Sequence, residues 1–181
     1  MSRGDTALLV IDMQEKLLPA IADGPRVVWN VRRLIDAAKV LGLPVAATEQ
    51  YPKGLGPTVA ELAERLGPLP SKLTFSAGGC PEIFADLRSR GLYKILVCGI
   101  ETHVCVAQTV FDLLADGWRV FVAVDAVGSR FVIDWHTALA RMDSAGATLT
   151  TVEAAMFEWC EAAGTPEFKE ISRLAREPGP Q

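Results

Sequence analysis

The chain has 181 residues, half of them hydrophobic, and 18 Lys and Arg against 22 Asp and Glu give it a formal net charge of −4. A chain of this length and composition can bury a large core as one domain, which excludes a mainly disordered protein. The acidic balance excludes the basic surface typical of nucleic-acid-binding proteins, and no apolar run is long enough for a transmembrane helix. We therefore expect neither a nucleic acid nor a membrane as partner.

Short apolar runs alternate with longer runs of helical periodicity along the chain. Predicted strands occupy 7–11, 45–48, 94–99, 119–125 and 147–151, and residues 73–75 are predicted as a short strand or an extended segment. Predicted helices occupy 27–41, a short stretch after Thr58, 81–90, 103–116, 135–145, 152–162 and 166–176. Residues 49–57, which hold two prolines and two glycines, are predicted as a loop, and Thr58 with Glu61 as a capping box.

Repeated alternation of strand and helix predicts βαβ units, a mainly parallel sheet and helices on both of its faces. The expected fold is a three-layer αβα domain of the α/β class with a doubly wound, six-stranded sheet. We expect a single domain over 1–181, with its core at about 5–160 and a C-terminal helix and tail at 163–181. In such sheets, ligands bind beyond the carboxyl ends of the strands.

Three side chains of complementary chemistry stand near predicted strand ends. Asp12 follows the first strand, Lys72 lies directly before the third, and Cys105 lies in the first turn of the helix after the fourth. Each alone has a plainer interpretation, since aspartates often cap helices, lysines are mostly solvated and single cysteines are mostly small buried hydrophobes. Cys105 differs in placement, because helix N-termini favour thiolates. Together they suggest an acid, a lysine and a thiol converging on one crevice.

The remaining cysteines and both histidines give weaker signals. Cys98 lies inside a predicted strand and Cys160 on a late helix, so both are expected to be structural, whereas Cys80 is either a turn residue or a second reactive thiol. His103 is either a base or an ordinary helix residue, and His136 is expected to cap or pack. No CxxC or HxxxH spacing is present, so no metal site is predicted. With no apolar leader before the first strand, we expect reduced cysteines in the cytoplasm.

Glycine-rich phosphate loops and serine-nucleophile motifs are absent. After the first strand the sequence reads Asp12-Met-Gln-Glu-Lys-Leu17, without the glycines of a dinucleotide-binding turn. The patterns GxxxxGK[ST] and GxSxG are also missing, which argues against a nucleotide-binding domain and against α/β-hydrolase serine chemistry. No cofactor is therefore expected.

Several segments carry a resemblance to a known family. They are Ala7-Leu-Leu-Val-Ile-Asp-Met-Gln14, Ser71-Lys-Leu-Thr-Phe-Ser76, Gly99-Ile-Glu-Thr-His-Val-Cys-Val106 and the stretch from Asp125 through Arg130 to Met142. In this order they resemble the isochorismatase-like cysteine hydrolases, over about residues 5–160. The resemblance implies a hydrolase with the catalytic triad Asp12, Lys72 and Cys105.

The segment Thr48-Glu-Gln-Tyr-Pro-Lys-Gly-Leu-Gly-Pro-Thr58 is similar to that of the metal-independent, isochorismatase-domain-containing subgroup. In nicotinamidases of the family, this region carries an Asp and two His that hold a metal. Residues 48–60 contain no histidine and Glu49 as their only acid, which argues against metal binding and nicotinamidase activity. Isochorismatases that cleave a vinyl ether lack the nucleophilic cysteine, so the presence of Cys105 favours acyl chemistry.

The resemblance also implies roles for the site residues. Asp12 is the general base, Lys72 holds the Asp12 carboxylate and lowers the pKa of the Cys105 thiol, and the sulfur attacks a small amide or related C–N substrate to form a thioester. The main-chain N–H groups of Glu101 and Cys105 form the oxyanion hole, with a cis peptide bond between Ile100 and Glu101. The family further implies a homo-oligomer.

Position alone suggests further substrate-binding residues, namely Gln14, Gln50, Tyr51, Phe75 and Thr102. Tyr51 and Phe75 are equally well interpreted as packing residues. Five aromatic residues are candidates for either a subunit interface or the core: Trp118, Phe131, Trp135, Phe157 and Trp159. The alternative function is that of a catalytically silent family member acting as a binding or interaction protein. The substrate and the roles of His103 and Arg130 are left open.

Overall fold

A computed structural model of the protein describes residues 1–180; the tail predicted at 163–181 also includes Gln181, which lies outside the described residues. The described strands form one sheet in the order β3-β2-β1-β4-β5-β6, with every neighbouring pair parallel. They are β1 Thr6–Ile11, β2 Val45–Gln50, β3 Ser71–Lys72, β4 Lys94–Ile100, β5 Arg119–Gly128 and β6 Thr148–Thr150.

Helices cover both faces of this sheet. They are α1 Gly24–Leu41, α2 Pro52–Leu55, α3 Ala60–Leu66, α4 Pro81–Ser89, α5 Ala107–Ala115, α6 Val132–Ser144, α7 Val152–Cys160 and α8 Pro166–Ala175, with 3₁₀ turns at Leu18–Ala20 and Ala77–Gly79 and a π-helical turn at Thr102–Val106. Alternate residues of β1 face opposite cores, Leu8 and Val10 on the α1 side and Leu9 and Ile11 on the α5 side. The predicted three-layer αβα fold is confirmed.

The order of the strands reverses at β1, which lies between β2 and β4. All six residues of β1 are buried, as the continuous apolar run of the sequence predicts for a strand covered on both faces. A reversal of this kind opens a crevice beyond the carboxyl ends of the two central strands. The residues that follow β1 and β4 therefore face the same space.

The segment between β2 and α4 differs from the prediction. β2 runs on to Gln50 because its last two residues pair with β3, and α2 replaces part of the expected loop. The predicted strand at 73–75 is wrong. The chain bends there because the carbonyl groups of Thr74 and Phe75 turn to accept hydrogen bonds from the Lys72 ammonium.

The predicted capping box at the start of α3 is also wrong. Val59 occupies the N-cap position without a side-chain cap. The main-chain N–H and the hydroxyl of Thr58 both donate to Glu49 Oε1, at 2.7 and 2.8 Å. Glu61 pairs with Arg32 instead. The Glu49 carboxylate, from β2, thus accepts the Thr58 N–H, which the capping box would have assigned to Glu61.

The five aromatic candidates divide between core and surface. Trp118 and Trp159 are buried in the two cores, which removes them as interface candidates, whereas Phe131 and Phe157 are exposed. The half-buried Trp135 donates its indole N–H to the Val127 carbonyl. Across the described residues, no helix combines the length and the apolar character needed to cross a membrane.

Candidate active site

Asp12 ends β1 at the centre of the sheet. Its backbone lies in the left-handed region, at φ 52°, which aspartate adopts more readily than most residues and which turns the chain after the strand. The side chain is fully buried. The Thr48 hydroxyl donates to Oδ1 at 2.8 Å and the Lys72 ammonium to Oδ2 at 2.7 Å. Each oxygen of this buried carboxylate therefore has a partner.

Lys72 reaches the same point from β3, at the edge of the sheet. Its side chain has no exposed surface. Besides Asp12, the ammonium has two close acceptors, Gln50 Oε1 at 2.9 Å and the Phe75 carbonyl at 2.8 Å. Three close acceptors match the three N–H groups of an ammonium. This arrangement explains how a lysine, rarely buried unless it is paired, is accommodated here.

Cys105 reaches Asp12 from the turn after β4. It is buried, and the Asp12 carboxylate is among the groups near enough to act on the pKa of its thiol. The turn is π-helical, because the Val106 N–H donates to the Glu101 carbonyl five residues earlier, at 3.2 Å. Such turns within helices are frequent at functional sites. The single α-helix predicted at 103–116 is therefore two elements. Cys105 lies in the π-helical turn, and α5 begins two residues after it.

The electrostatics of the site correct one expectation. Burial, and then the Asp12 carboxylate, raise the pKa of Cys105 to about 12, and Lys72 only partly opposes them. The expected lowering of this thiol's pKa is therefore wrong, since the lysine charge is already balanced by Asp12. Burial also raises the pKa of Asp12, despite the lysine beside it. The resting sulfur is a thiol next to a carboxylate made more basic by burial.

Glu101 starts the turn after β4. The Ile100–Glu101 peptide bond is cis. The Glu101 carboxylate accepts hydrogen bonds from the main-chain N–H and from Nε of Arg130, each at 3.1 Å, and so ties the end of β4 to that of β5. Just before, Gly99 has a φ of 117°, and a Cβ there would lie 2.1 Å from the Ile11 carbonyl oxygen. Only glycine allows β1 and β4 to approach this closely.

Gln14 and Gln50 support the frame of the site. The Gln14 amide donates to the carbonyls of Gln50 and Gly56, and its oxygen accepts from the Gln50 main-chain N–H. The Gln50 amide donates to the Leu73 carbonyl and accepts from Lys72. Both side chains are buried and held by protein groups. These contacts position β2 and Lys72, and substrate binding by the two glutamines stays a prediction.

The other three substrate candidates differ in exposure. Tyr51 and Phe75 keep 49% and 52% of their surface exposed, and the Tyr51 N–H donates to the Lys72 carbonyl. Thr102 is fully buried, and its hydroxyl has no hydrogen-bond partner within residues 1–180. Substrate binding by these three residues stays a prediction.

Two further polar contacts were not predicted. Thr48 lies in register with the last residue of β1, so an alignment of β1 with β2 would have placed its hydroxyl beside Asp12. The Ser129 hydroxyl lies 3.0 Å from His103 Nδ1, and the other ring nitrogen lies 3.9 Å from the Asp134 carboxylate. No spacing in the sequence points to this second contact, because it depends on how β5 meets the turn after β4.

Among the described residues, no three His, Cys, Asp or Glu side chains gather as metal ligands would. All four cysteines are free and buried. Burial raises the pKa of Cys80, and that of Cys98 further still. Cys80 lies between the 3₁₀ turn at Ala77–Gly79 and the start of α4, and its role as a turn residue or as a second reactive thiol stays a prediction.

Comparison with known proteins identifies the family. The Isochorismatase domain model matches residues 6–154, a range that includes the whole buried cluster of aspartate, lysine and thiol. The chain belongs to the isochorismatase family. This isochorismatase domain is 45% identical to the human "Isochorismatase domain-containing protein 2", over 98% of this chain and 86% of that protein. It is 44% identical to the mouse protein 2A, over 96% and 84%. The predicted family membership is confirmed.

Solved structures agree with this assignment. The MAR1 ribonuclease from Caenorhabditis elegans is 42% identical with a TM-score of 0.93, over 100% of this chain and 94% of that one. YcaC from Pseudomonas aeruginosa, solved with hexane-2,5-diol and covalent acrylamide, is 28% identical with a TM-score of 0.88, over 97% and 91%. Escherichia coli YcaC, described as an octameric hydrolase of unknown specificity, is 27% identical with a TM-score of 0.88, over 97% and 90%. The isochorismatase domain is thus one of the isochorismatase-like hydrolases.

Proposed function

We propose that this protein is a cysteine hydrolase that cleaves the C–N bond of a small amide or related molecule through a thioester intermediate. One observation carries the proposal: the fully buried Lys72–Asp12 ion pair, 2.7 Å long, has a carboxylate close enough to the buried Cys105 thiol to raise its pKa. A buried ion pair adds little net stability, and groups with perturbed pKa values cluster at functional sites. The pair is therefore best explained by chemistry at the sulfur.

In the first half-reaction, the Cys105 sulfur attacks the carbonyl carbon while Asp12 accepts the thiol proton. The two events are coupled, because a thiol with a pKa of about 12 is not ionised in advance. The raised pKa of Asp12 reduces the mismatch between proton donor and acceptor. The C–N bond then breaks, and the leaving nitrogen takes that proton from Asp12. Lys72 holds the carboxylate in place throughout.

In the second half-reaction, water attacks the thioester carbonyl and gives a proton to Asp12. The C–S bond breaks, and the sulfur takes this proton back, which restores the resting thiol and releases a carboxylic acid. We assign the main-chain N–H groups of Glu101 and Cys105 to the oxyanion that forms in both steps. Loss of one such donor typically costs roughly 100-fold or more in rate.

We expect a small substrate with an apolar part. We assign Tyr51 and Phe75, half exposed beside Lys72, as the walls of its binding site. The Thr102 hydroxyl, buried without a partner in the described chain, is available to a polar group of the substrate. The covalent acrylamide of Pseudomonas aeruginosa YcaC supports a reactive nucleophile in that relative, since acrylamide attaches to nucleophiles through its double bond.

The test is turnover of a panel of small amides and N-carbamoyl compounds, followed by the release of ammonia or amine. We expect turnover by the wild type and by Cys160→Ala, a control cysteine on α7, and none by Cys105→Ala. Rapid quenching and mass spectrometry should show an acyl group on Cys105. If no compound is turned over and none acylates Cys105, the catalytically silent binding protein becomes the better interpretation.

Ribonuclease activity is the second candidate, because the Caenorhabditis elegans relative is named a MAR1 ribonuclease. The formal charge of −4 is unfavourable for the phosphate contacts that dominate affinity for RNA. Single-stranded RNA therefore belongs in the panel. Cleavage by the wild type that is lost in Cys105→Ala would assign the triad to RNA instead of amides.

We also infer that the protein forms a homo-oligomer in the reducing cytoplasm, where Cys105 stays a thiol. The octameric Escherichia coli relative supports this, as do the large apolar side chains of Leu73, Phe131 and Ile133, which are 78%, 64% and 71% exposed. Exposed apolar patches mark interaction surfaces. Ile133→Asp should lower the mass measured by sedimentation equilibrium, and an unchanged oligomer would exclude this residue from the interface.

A further inference from the structure

A cavity of about 380 Å³ opens between the start of α1, the end of β5 and the start of α6. None of the proposed catalytic residues lines it. Its apolar wall consists mainly of valine side chains and the indole of Trp135. Four polar or charged residues also line it: Asp23 and Arg26 at the start of α1, and Asp125 and Ser129 at the end of β5 and in the following turn. A mainly apolar cavity of this size with a few polar groups is typical of small-molecule sites.

The cavity exists because β5 is longer than its neighbour. The last pair between β5 and β6 is Ala123 with Thr150, whereas β5 continues to Gly128. On its other side, the register of β5 shifts between Val97 and Gly99 of β4. A bulge of this kind turns the side chains of the extra residues in new directions. Asp125 lies in the extra stretch, beyond the end of β6, where no strand covers it among the described residues.

The Asp125 carboxylate has no ion-pair partner within residues 1–180. Its Oδ1 accepts the main-chain N–H of Val152, at the start of α7, at 2.9 Å. Of the neighbouring cations, Arg33 donates to main-chain carbonyls and Arg26 pairs with Asp23 at 2.7 Å. Burial raises the pKa of Asp125. A half-buried carboxylate is therefore left without a direct ion pair, since Arg26, which lines the same cavity, is paired with Asp23.

We propose that this cavity binds a small primary amine with an apolar or aromatic substituent. The ammonium group donates to the Asp125 carboxylate, and the substituent occupies the space between the valines and Trp135. An ammonium is the ligand group that can pair directly with this carboxylate, and charge-assisted hydrogen bonds are the stronger ones. The site is independent of the proposed hydrolysis. It adjoins the catalytic turn, because the Ser129 hydroxyl contacts His103, two residues before Cys105.

A purely structural role for Asp125 makes a different prediction. If the side chain only holds the start of α7 through the Val152 N–H, asparagine performs the same task, since its amide oxygen accepts the same bond. Asp125→Asn therefore keeps the contact to α7 and removes the charge. The variant separates the two roles without deleting the side chain.

The experiment measures binding of benzylamine, which is protonated at neutral pH, and of benzyl alcohol, a neutral molecule of the same shape. Isothermal titration calorimetry is done on the full chain for the wild type, Asp125→Asn and Asp143→Asn, a control on the exposed face of α6. We expect the wild type and Asp143→Asn to bind benzylamine about tenfold or more tightly than benzyl alcohol. Asp125→Asn should lose this preference while its unfolding temperature without ligand stays close to that of the wild type.

A second variant covers the case in which Asp125→Asn is poorly folded. Val132→Trp fills the cavity from a position that is 59% exposed, leaves Asp125 intact, and should abolish binding of both compounds. Equal affinity for the two compounds in the wild type, or no binding of benzylamine at all, would overturn the proposal. So would full benzylamine affinity in Val132→Trp, because the amine would then bind elsewhere.

Discussion

Two aspartates bracket β1, and each binds a lysine ammonium at 2.7 Å. Asp5 precedes the strand and pairs with Lys94 at the amino edge of the sheet, whereas Asp12 follows it and pairs with Lys72 at the carboxyl edge. The Asp5 and Lys94 side chains keep 18% and 14% of their surface exposed, and the other pair keeps none. The two pairs therefore have the same contact and differ in their access to water.

This difference in access to water reverses the direction in which the pKa of the aspartate shifts. At Asp12, burial outweighs the lysine and raises the pKa of the carboxyl. At Asp5, burial acts in the same sense, but hydrogen bonds from Lys94, Thr6 and Ser2 together overcome it and hold the pKa well below its usual range. Solvent access, more than distance, decides whether such a pair fixes a charge or makes a carboxylate more basic. The pair at the carboxyl edge has the property that a catalytic base needs.

Replacing each aspartate by asparagine should give the largest difference between the two edges, and this difference is in catalytic activity. Asp12→Asn removes the proton acceptor, so kcat/KM should fall by about 100- to 10,000-fold, whereas Asp5→Asn should change it by less than about twofold. Steady-state kinetics on the best amide of the panel measure this, with circular dichroism to show that both variants fold. Similar losses in both variants would remove Asp12 from the mechanism.

Replacing each lysine by methionine should lower the free energy of unfolding by different amounts at the two pairs. Lys72→Met leaves a buried carboxylate without its cation and should lower the free energy of unfolding by about 3–5 kcal/mol. Lys94→Met breaks a pair with access to water and should cost about 1 kcal/mol or less. Urea titrations of both variants measure the difference. The double variant Asp12→Asn with Lys72→Met should recover part of the loss, and no recovery would contradict the coupling of the pair.

Replacing Asp12 should raise the alkylation rate of Cys105, whereas it should lower the enzymatic activity. The Asp12 carboxylate is one of the groups that raise the thiol pKa, so Asp12→Asn should increase the alkylation rate at pH 9 by about tenfold, one unit of pKa. Iodoacetamide labelling with peptide mass spectrometry assigns the rate to Cys105. Asp5→Asn is the matched control and should leave the rate unchanged. A slower rate in Asp12→Asn would contradict this prediction, because proton acceptance by the carboxylate would then outweigh its effect on the thiol pKa.

The carboxyl edge of the sheet could be predicted largely from local signals. β1 and β4 occupy the predicted positions to within one residue, because apolar runs ended by polar residues or glycine are visible in the sequence. Asp12 and Cys105 then follow from the rule that sites lie after the strands of a parallel sheet. Lys72 gave a weaker signal, since a lone lysine is normally a surface residue; its place beside the predicted third strand made it a candidate, and its role came from the family resemblance.

Other features depend on contacts between distant residues. β3 was misplaced because its end is fixed by the bond from Lys72 to Asp12, 60 residues away. The supposed cap of α3 failed because Glu49, nine residues earlier, binds Thr58. The pKa of Cys105 was expected to fall because a lysine and a helix start were visible in the sequence, whereas the extent of burial was not.

The smallest expected effect is a pair of pH dependences with opposite signs. The pKa of Asp5 is lowered in the folded protein, so its ionised form stabilises the fold above the ordinary value of about 3.9, and this contribution is lost as the pH falls below it. The pKa of Asp12 is raised, so its contribution is present below the ordinary value and is lost as the pH rises through the folded pKa.

Unfolding free energies of the wild type, Asp5→Asn and Asp12→Asn between pH 3 and 7 test both signs. As the pH rises, the advantage of the wild type over Asp5→Asn should grow by less than about 1 kcal/mol, because water screens that pair. Its advantage over Asp12→Asn should shrink over the same range, whatever the constant loss caused by the unpaired Lys72. If both advantages change in the same direction as the pH rises, the two ends of β1 hold their carboxylates in the same way. Asp12 would then not be a base of raised pKa.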